Sequence, residues 1–131
     1  MTFVSNVIYA HELGASLDCH SGSHAFIKQL IDTKEIASKP IKVSDNSVNA
    51  YRPTPERDLT ALGFKVRAVS GFSPNDEMFS KSSSGGAANE VYGVVVMAGT
   101  DAVSERIREI GSPATVKEVM PLVMTAVVCQ K

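Results

Sequence analysis

Asp18, Cys19, His20 and His24 crowd into "DCHSGSH", and imidazole and thiolate are side chains that hold transition metals. Two histidines four residues apart can share a helix turn, but Ser21-Gly22-Ser23 interrupts it and no second pair lies nearby. The stretch reads better as a polar loop entering a helix. "HELGA" (residues 11–15) opens like a zinc-protease motif, yet Ala15 stands where the second histidine is required. No GxxxxGK[ST], GxGxxG or GxSxG occurs, so phosphate-loop, dinucleotide-fold and hydrolase-elbow readings all fail. The serines and three histidines could supply a catalytic triad, but chance places such residues in any chain of this length. "EMFSKSSSGG" (residues 77–86) is more informative. As a strand, its alternation puts the Ser80 and Ser82 hydroxyls on one face; by its serine and glycine content it is a connector. Arg52, at the end of an extended piece, and Glu118, in "ATVKEVMPL", complete the set.

The elements that must position these residues are partly readable. Residues 2–10 have strand-like composition. Residues 23–37 read as a helix, with Phe26, Ile27, Leu30 and Ile31 at three- and four-residue steps, Ser23 as cap and Pro40 as stop. "VNAYRPT" is extended because Arg52 precedes Pro53. "TPERDLTALG" (residues 54–63) reads as a short helix, with Thr54 as N-cap, Pro55 in the first turn and Gly63 closing it. Residues 64–69 alternate as a strand and residues 70–76 form a loop. "EVYGVVVMAG" (residues 90–99) is a strand buried on both faces. Residues 100–111 are the clearest helix, with Thr100 as cap, a Val103, Ile107, Ile110 stripe and Gly111 as stop. Residues 115–130 give one or two strands, with Pro121 at an edge or bend. The order is α+β rather than a regular βαβ alternation.

Bulk composition bounds the answer further. The chain has 131 residues, enough for one domain and one core. Thirteen basic against fourteen acidic residues leave a net charge of -1, and there is no tryptophan. Both facts argue against a dedicated nucleic-acid binder. No apolar window reaches the length of a membrane span, and the N-terminus lacks the basic start and apolar run of a signal peptide. Cys19 and Cys129 can form one disulfide or remain two buried thiols.

Arginine, strand serine and glutamate, in that order, resemble the pattern of ADP-ribosyltransferases of the cholera and pertussis toxin class. "AYRPTPERDLTALGF" (residues 50–64) is similar to that family's opening Tyr-Arg strand, with its Arg/Pro-rich turn, short helix and Gly-Phe. "FSKSSS" (residues 79–84) resembles its Phe-x-Ser-Thr-Ser strand, and "VKEV" (residues 116–119) the segment ending in its catalytic glutamate. The likeness covers residues 49–131, with residues 1–48 as an N-terminal extension of the same single domain.

The resemblance implies a split pair of mostly antiparallel sheets with short flanking helices and an NAD cleft between the sheets. It implies that Glu118 stabilises the positive charge that develops on ribose as nicotinamide leaves. Arg52 would hold an NAD phosphate, Ser80 and Ser82 would fix the glutamate and shape the nicotinamide pocket, and Tyr51 would pack beside the arginine. The implied protein is a secreted or delivered toxin or effector that moves ADP-ribose to a protein acceptor, with a delivery or immunity partner. An NAD glycohydrolase, or a non-catalytic binding or inhibitor module on the same fold, is the alternative. Val116 stands where many members carry Glu or Gln two residues before the catalytic glutamate, and it can neither donate nor accept a hydrogen bond. Transfer to arginine is therefore disfavoured. Lys81 replaces the usual threonine between the serines.

Overall fold

The computed structural model describes residues 10–131. In chain order its strands are β1 (Ala10–Glu12), β2 (Lys42–Val43), β3 (Asn49–Tyr51), β4 (Asp58–Ala61), β5 (Phe64–Phe72), β6 (Val91–Val96), β7 (Thr115–Met120) and β8 (Met124–Gln130). The helices are α1 (Ser23–Asp32) and α2 (Thr100–Ile110), and a 3-10 helix spans Gly14–Asp18. The strands join in one mixed sheet in the order β1-β4-β5-β6-β8-β7, and the domain is α+β. β3 pairs with β5 on the edge that β4 also uses, and β2 lies outside β3. Only the β1–β4 pairing is parallel among the described strands.

Both helices lie on one face of this sheet. Tyr92, Val94 and Val96 of β6 stand directly opposite Cys129, Val127 and Thr125 of β8, so all six share a face. Phe26 of α1 packs on Tyr92 with ring centroids 4.7 Å apart, and the Thr100 hydroxyl of α2 lies 3.4 Å from that of Thr125. α1 buries Phe26, Ile27 and Leu30 there, and α2 buries Val103 and Ile107. Gly71 lets α1 come this close, since a Cβ on it would meet Ile27 Cγ1 at 2.7 Å. No helix among the described residues is long and apolar enough to cross a membrane.

Several sequence expectations hold. β6 is buried at five of its six positions, Gly111 ends α2 in the left-handed conformation, and residues 115–130 form two strands around Pro121. Others are corrected. Residues 54–63 are not a helix: a turn closes from Arg57 N to Thr54 O at 3.0 Å, and β4 follows. Leu59 and Ala61 alternate inward along β4, and pairing to strands on both sides supplies what a short isolated helix lacks. Leu62 and Gly63 both take positive φ, so Gly63 belongs to a two-residue hairpin turn rather than a helix end. β5 runs on to Phe72, past the expected loop start at Ser70.

α1 stops at Asp32, five residues early. Lys34 N donates to Ile31 O and Glu35 N to Leu30 O, while Lys34 takes φ 60°. That is a Schellman ending built without the glycine that usually announces one. The expected caps Ser23 and Thr100 are first helical residues, with Gly22 and Gly99 at the N-cap positions. The strand expected over residues 2–10 lies outside the described residues except for Ala10.

Cys19 and Cys129 form a disulfide, with Cα atoms 5.2 Å apart and the two cysteines 110 positions apart in sequence. The bond ties the end of the 3-10 helix to β8. Closing so long a loop restricts the unfolded chain and is worth about 4 kcal/mol. Replacing both cysteines by serine should lower unfolding free energy in urea by about that amount. A loss under about 1 kcal/mol would show that the bond adds little to the fold.

Candidate functional site

Arg52 directly follows β3 and is exposed. Glu118 lies on β7, opposite Thr125 of β8. From β3 the sheet runs through β5, β6 and β8 before reaching β7. Four strand intervals therefore separate Arg52 from Glu118, about 19 Å at ordinary spacing. The structure does not gather them around one ligand.

The serine stretch is a loop, not a strand. Asn49, fully buried, accepts from Ser80 N at 3.0 Å and donates to Ser80 O at 2.9 Å and to Ser47 O at 2.8 Å. Ser47, also fully buried, accepts from Ser82 N at 2.8 Å and donates to Gly86 O. The hydroxyls expected to line a pocket instead shape the loop: Ser82 Oγ lies 2.8 Å from Ser84 Oγ, which donates to Asp45 O at 3.2 Å. Two buried side chains thus satisfy a segment that its composition marks as flexible. Tyr51 points into the core, whereas Arg52 is exposed. Burial, with the Asp76 carboxylate adding to it, pushes the Tyr51 phenol up to about 12. It is a core residue rather than a wall of a nucleotide site.

Arg52 does have company. With Arg57, Lys65 and Arg67 it lines a cleft of about 370 Å³ between the turn after β3, β4 and β5. Four of its lining residues are cationic, and Asp58 is the only acidic one. No ion pair among the described residues involves any of the four cations. Lys65 and Arg67 stand two residues apart on the solvent side of β5, and a β-bulge interrupts the strand at this point. Val66 pairs with Val96 and Ala68 with Val95, which leaves Arg67 as the extra residue. Bulges re-aim side chains in this way; here Val66 and Val69 stay buried while Lys65 and Arg67 both remain exposed. The sequence reading singled out Arg52 alone. The signal it passed over was "FKVR", a strand whose solvent positions are both basic.

Two histidine–carboxylate pairs lie elsewhere. His11 of β1 bonds through Nδ1 to Glu35, whose other oxygen accepts from Thr33 Oγ1 at 2.6 Å. His24 Nδ1 lies 2.7 Å from Asp76 Oδ2. Cys19, one of the residues considered for a metal, is consumed by the disulfide, and no three His, Cys, Asp or Glu side chains converge among the described residues.

Glu12 is a further knot. Its carboxylate accepts from the amides of Gly14, Leu62 and Gly63, joining β1, the 3-10 helix and the β4–β5 turn. Burial pushes its pKa up, but those three amides and the Thr60 hydroxyl outweigh it and hold the group below its ordinary 4.5. The folded state thus binds this proton more weakly than the unfolded chain does. Its contribution is complete above the ordinary glutamate value and fades as pH falls through the lowered one.

Glu12→Gln should therefore narrow the stability difference between pH 6 and pH 3, read by urea denaturation at each pH; an unchanged difference would remove Glu12 from the acid response. Asn49→Ala should cost about 2–4 kcal/mol, because it strands buried backbone groups of the serine loop. Hydrogen exchange at the Ser80 amide should speed up in the same variant, and unaltered exchange would mean the clamp is not what orders the loop.

No family model matches the chain, and neither does any curated protein or solved structure.

Proposed function

We propose that the protein is a binding module that takes a small phosphate-bearing ligand in the basic cleft lined by Arg52, Arg57, Lys65 and Arg67. One observation carries this reading: three arginines and a lysine line one hollow in which Asp58 is the only acidic residue, on a chain whose net charge is -1. Like charges gathered without partners repel, and a phosphate's oxygens supply the missing acceptors. Arginine's planar fork fits them two at a time. A volume of about 370 Å³ suits a ligand of mono- or dinucleotide-fragment size.

Of the toxin-like reading, the geometry supports the anion-binding role of Arg52. The NAD-cleaving role needs a carboxylate against the ribose while the arginine holds the phosphates. Glu118 lies too far across the sheet for that, so NAD does not fit the expected set of residues. The split-sheet transferase fold belongs with that proposal, whose support is the order of the motifs. The disulfide supports placing the chain in an oxidising compartment, as a secreted protein would be.

Calorimetric titration with pyrophosphate and with ADP is the test. Both should bind, more weakly as salt rises, and Arg52→Gln or Arg67→Gln should weaken each at least about tenfold, the loss of one charge-assisted contact. Affinity indifferent to both substitutions, or no binding at millimolar ligand, overturns the proposal. Labelled NAD should come through incubation with the protein and a cell lysate uncleaved. NAD loss that Glu118→Gln abolishes would restore the transferase.

A further inference from the structure

A second cleft, of about 800 Å³, opens where the 3-10 helix, the β4–β5 turn and the C-terminal end of α2 meet. Its apolar lining comes from Ala15, Leu62, Ile110 and Pro113. Ile110 completes the apolar stripe of α2 yet is 53% exposed, because it faces this hollow rather than the core.

The polar groups around it are unequal. Glu12 is occupied by three backbone amides and has little left to offer a ligand. Asp18 and His20 lie close together, with Asp18 Oδ1 accepting from His20 N at 2.9 Å. Arg106 is different. Its guanidinium lies over the Phe64 ring, 5.7 Å from the ring centre. It also overhangs the hairpin turn, where a Cβ on Gly63 would come within 3.5 Å of Nη1. Its one ion pair, from Nε to Glu109, is stretched to 4.0 Å and leaves the terminal nitrogens to the cleft.

We infer that this cleft binds a small apolar carboxylate, with Arg106 taking the carboxylate and the hydrocarbon body covering Ala15, Leu62 and Ile110. One guanidinium suits a single negative charge. The Glu12 and Asp18 carboxylates and the carbonyl end of α2 disfavour a more highly charged anion such as a phosphate. The site is separate from the basic cleft: no residue lines both.

The experiment uses a charge-swapped pair of probes, 4-phenylbutyrate and 4-phenylbutylamine, titrated against the whole chain and followed by amide chemical shifts. Phenylbutyrate should move the Gly63, Gly111 and Ser112 resonances, and phenylbutylamine should leave them in place. Arg106→Gln, at an exposed helix position, should weaken phenylbutyrate at least about tenfold while leaving pyrophosphate binding unchanged. Ala15→Trp should block the probe by filling the cleft. Equal binding of the two probes, shifts confined to other residues, or full affinity in Arg106→Gln overturns the inference. The phenylbutyrate and phenylbutylamine readouts do not depend on whether the basic cleft holds phosphate.

Discussion

β5 is the strand on which the sheet depends, and it works under a constraint. It must keep one face apolar for nine residues while β4 and β3 share one of its edges and β6 takes the other. Strict alternation cannot serve both halves, because Val66 and Val69 are both buried and stand three residues apart. The bulge at Arg67 resolves the conflict by inserting one residue between the two registers. Without it, either Val69 and Gly71 or Val66 would turn to solvent. Lys65 and Arg67, two residues apart, share the solvent face by ordinary alternation and both line the basic cleft, so the strand that completes the core also concentrates charge.

Polar burial is handled with equal economy. Asn49 and Ser47 are wholly enclosed, and each makes bonds to backbone groups of the serine loop. Buried amides and hydroxyls are tolerable when satisfied and costly when not. These two convert a flexible composition into a fixed lid on β3. Glu12 does the same for the hairpin turn between β4 and β5. Ser23 is the exception: its hydroxyl is buried at the start of α1 with no partner. In each satisfied case a side chain from one element completes the backbone of another, and sheet pairing alone would leave those groups bare.

That pattern explains what the sequence disclosed and what it hid. Helix α2 was legible because its stripe, its acidic first turn and Gly111 all agree. β6 was legible because an unbroken β-branched run has few other uses. The end of α1 was hidden, since Lys34 gives no sign that it will take a left-handed conformation. β4 was hidden too: Thr54, Pro55 and Gly63 offer good helix punctuation, and only pairing with distant β1 and adjacent β5 outweighs it. At the candidate site, Arg52 was found through its neighbours in sequence. Arg57 follows it in the same turn, but Lys65 and Arg67 reach it only through the sheet, so their basic strand pattern alone did not tie them to Arg52. Glu118 and the serines show the converse, residues with the right types and order that pairing places far apart or turns to structural use.

The composition of the basic cleft then bears on what the fold is for. Fourteen acidic residues are available in the chain, and a few of them meet cations, as Asp32 does Lys28 and Glu90 does Lys131. Neutralising Arg52, Arg57, Lys65 and Arg67 would have needed only acidic neighbours on the same exposed surface. Surface pairs of that kind are worth little, so stability alone does not decide the matter. An unbalanced cluster, however, carries a repulsion that pairing would relieve, and it confers nothing on folding in return. On the proposed reading, its use lies in an attraction to an anion that the chain does not contain. A solvent-exposed cleft lined by three arginines and a lysine concentrates positive potential where an anion can reach it.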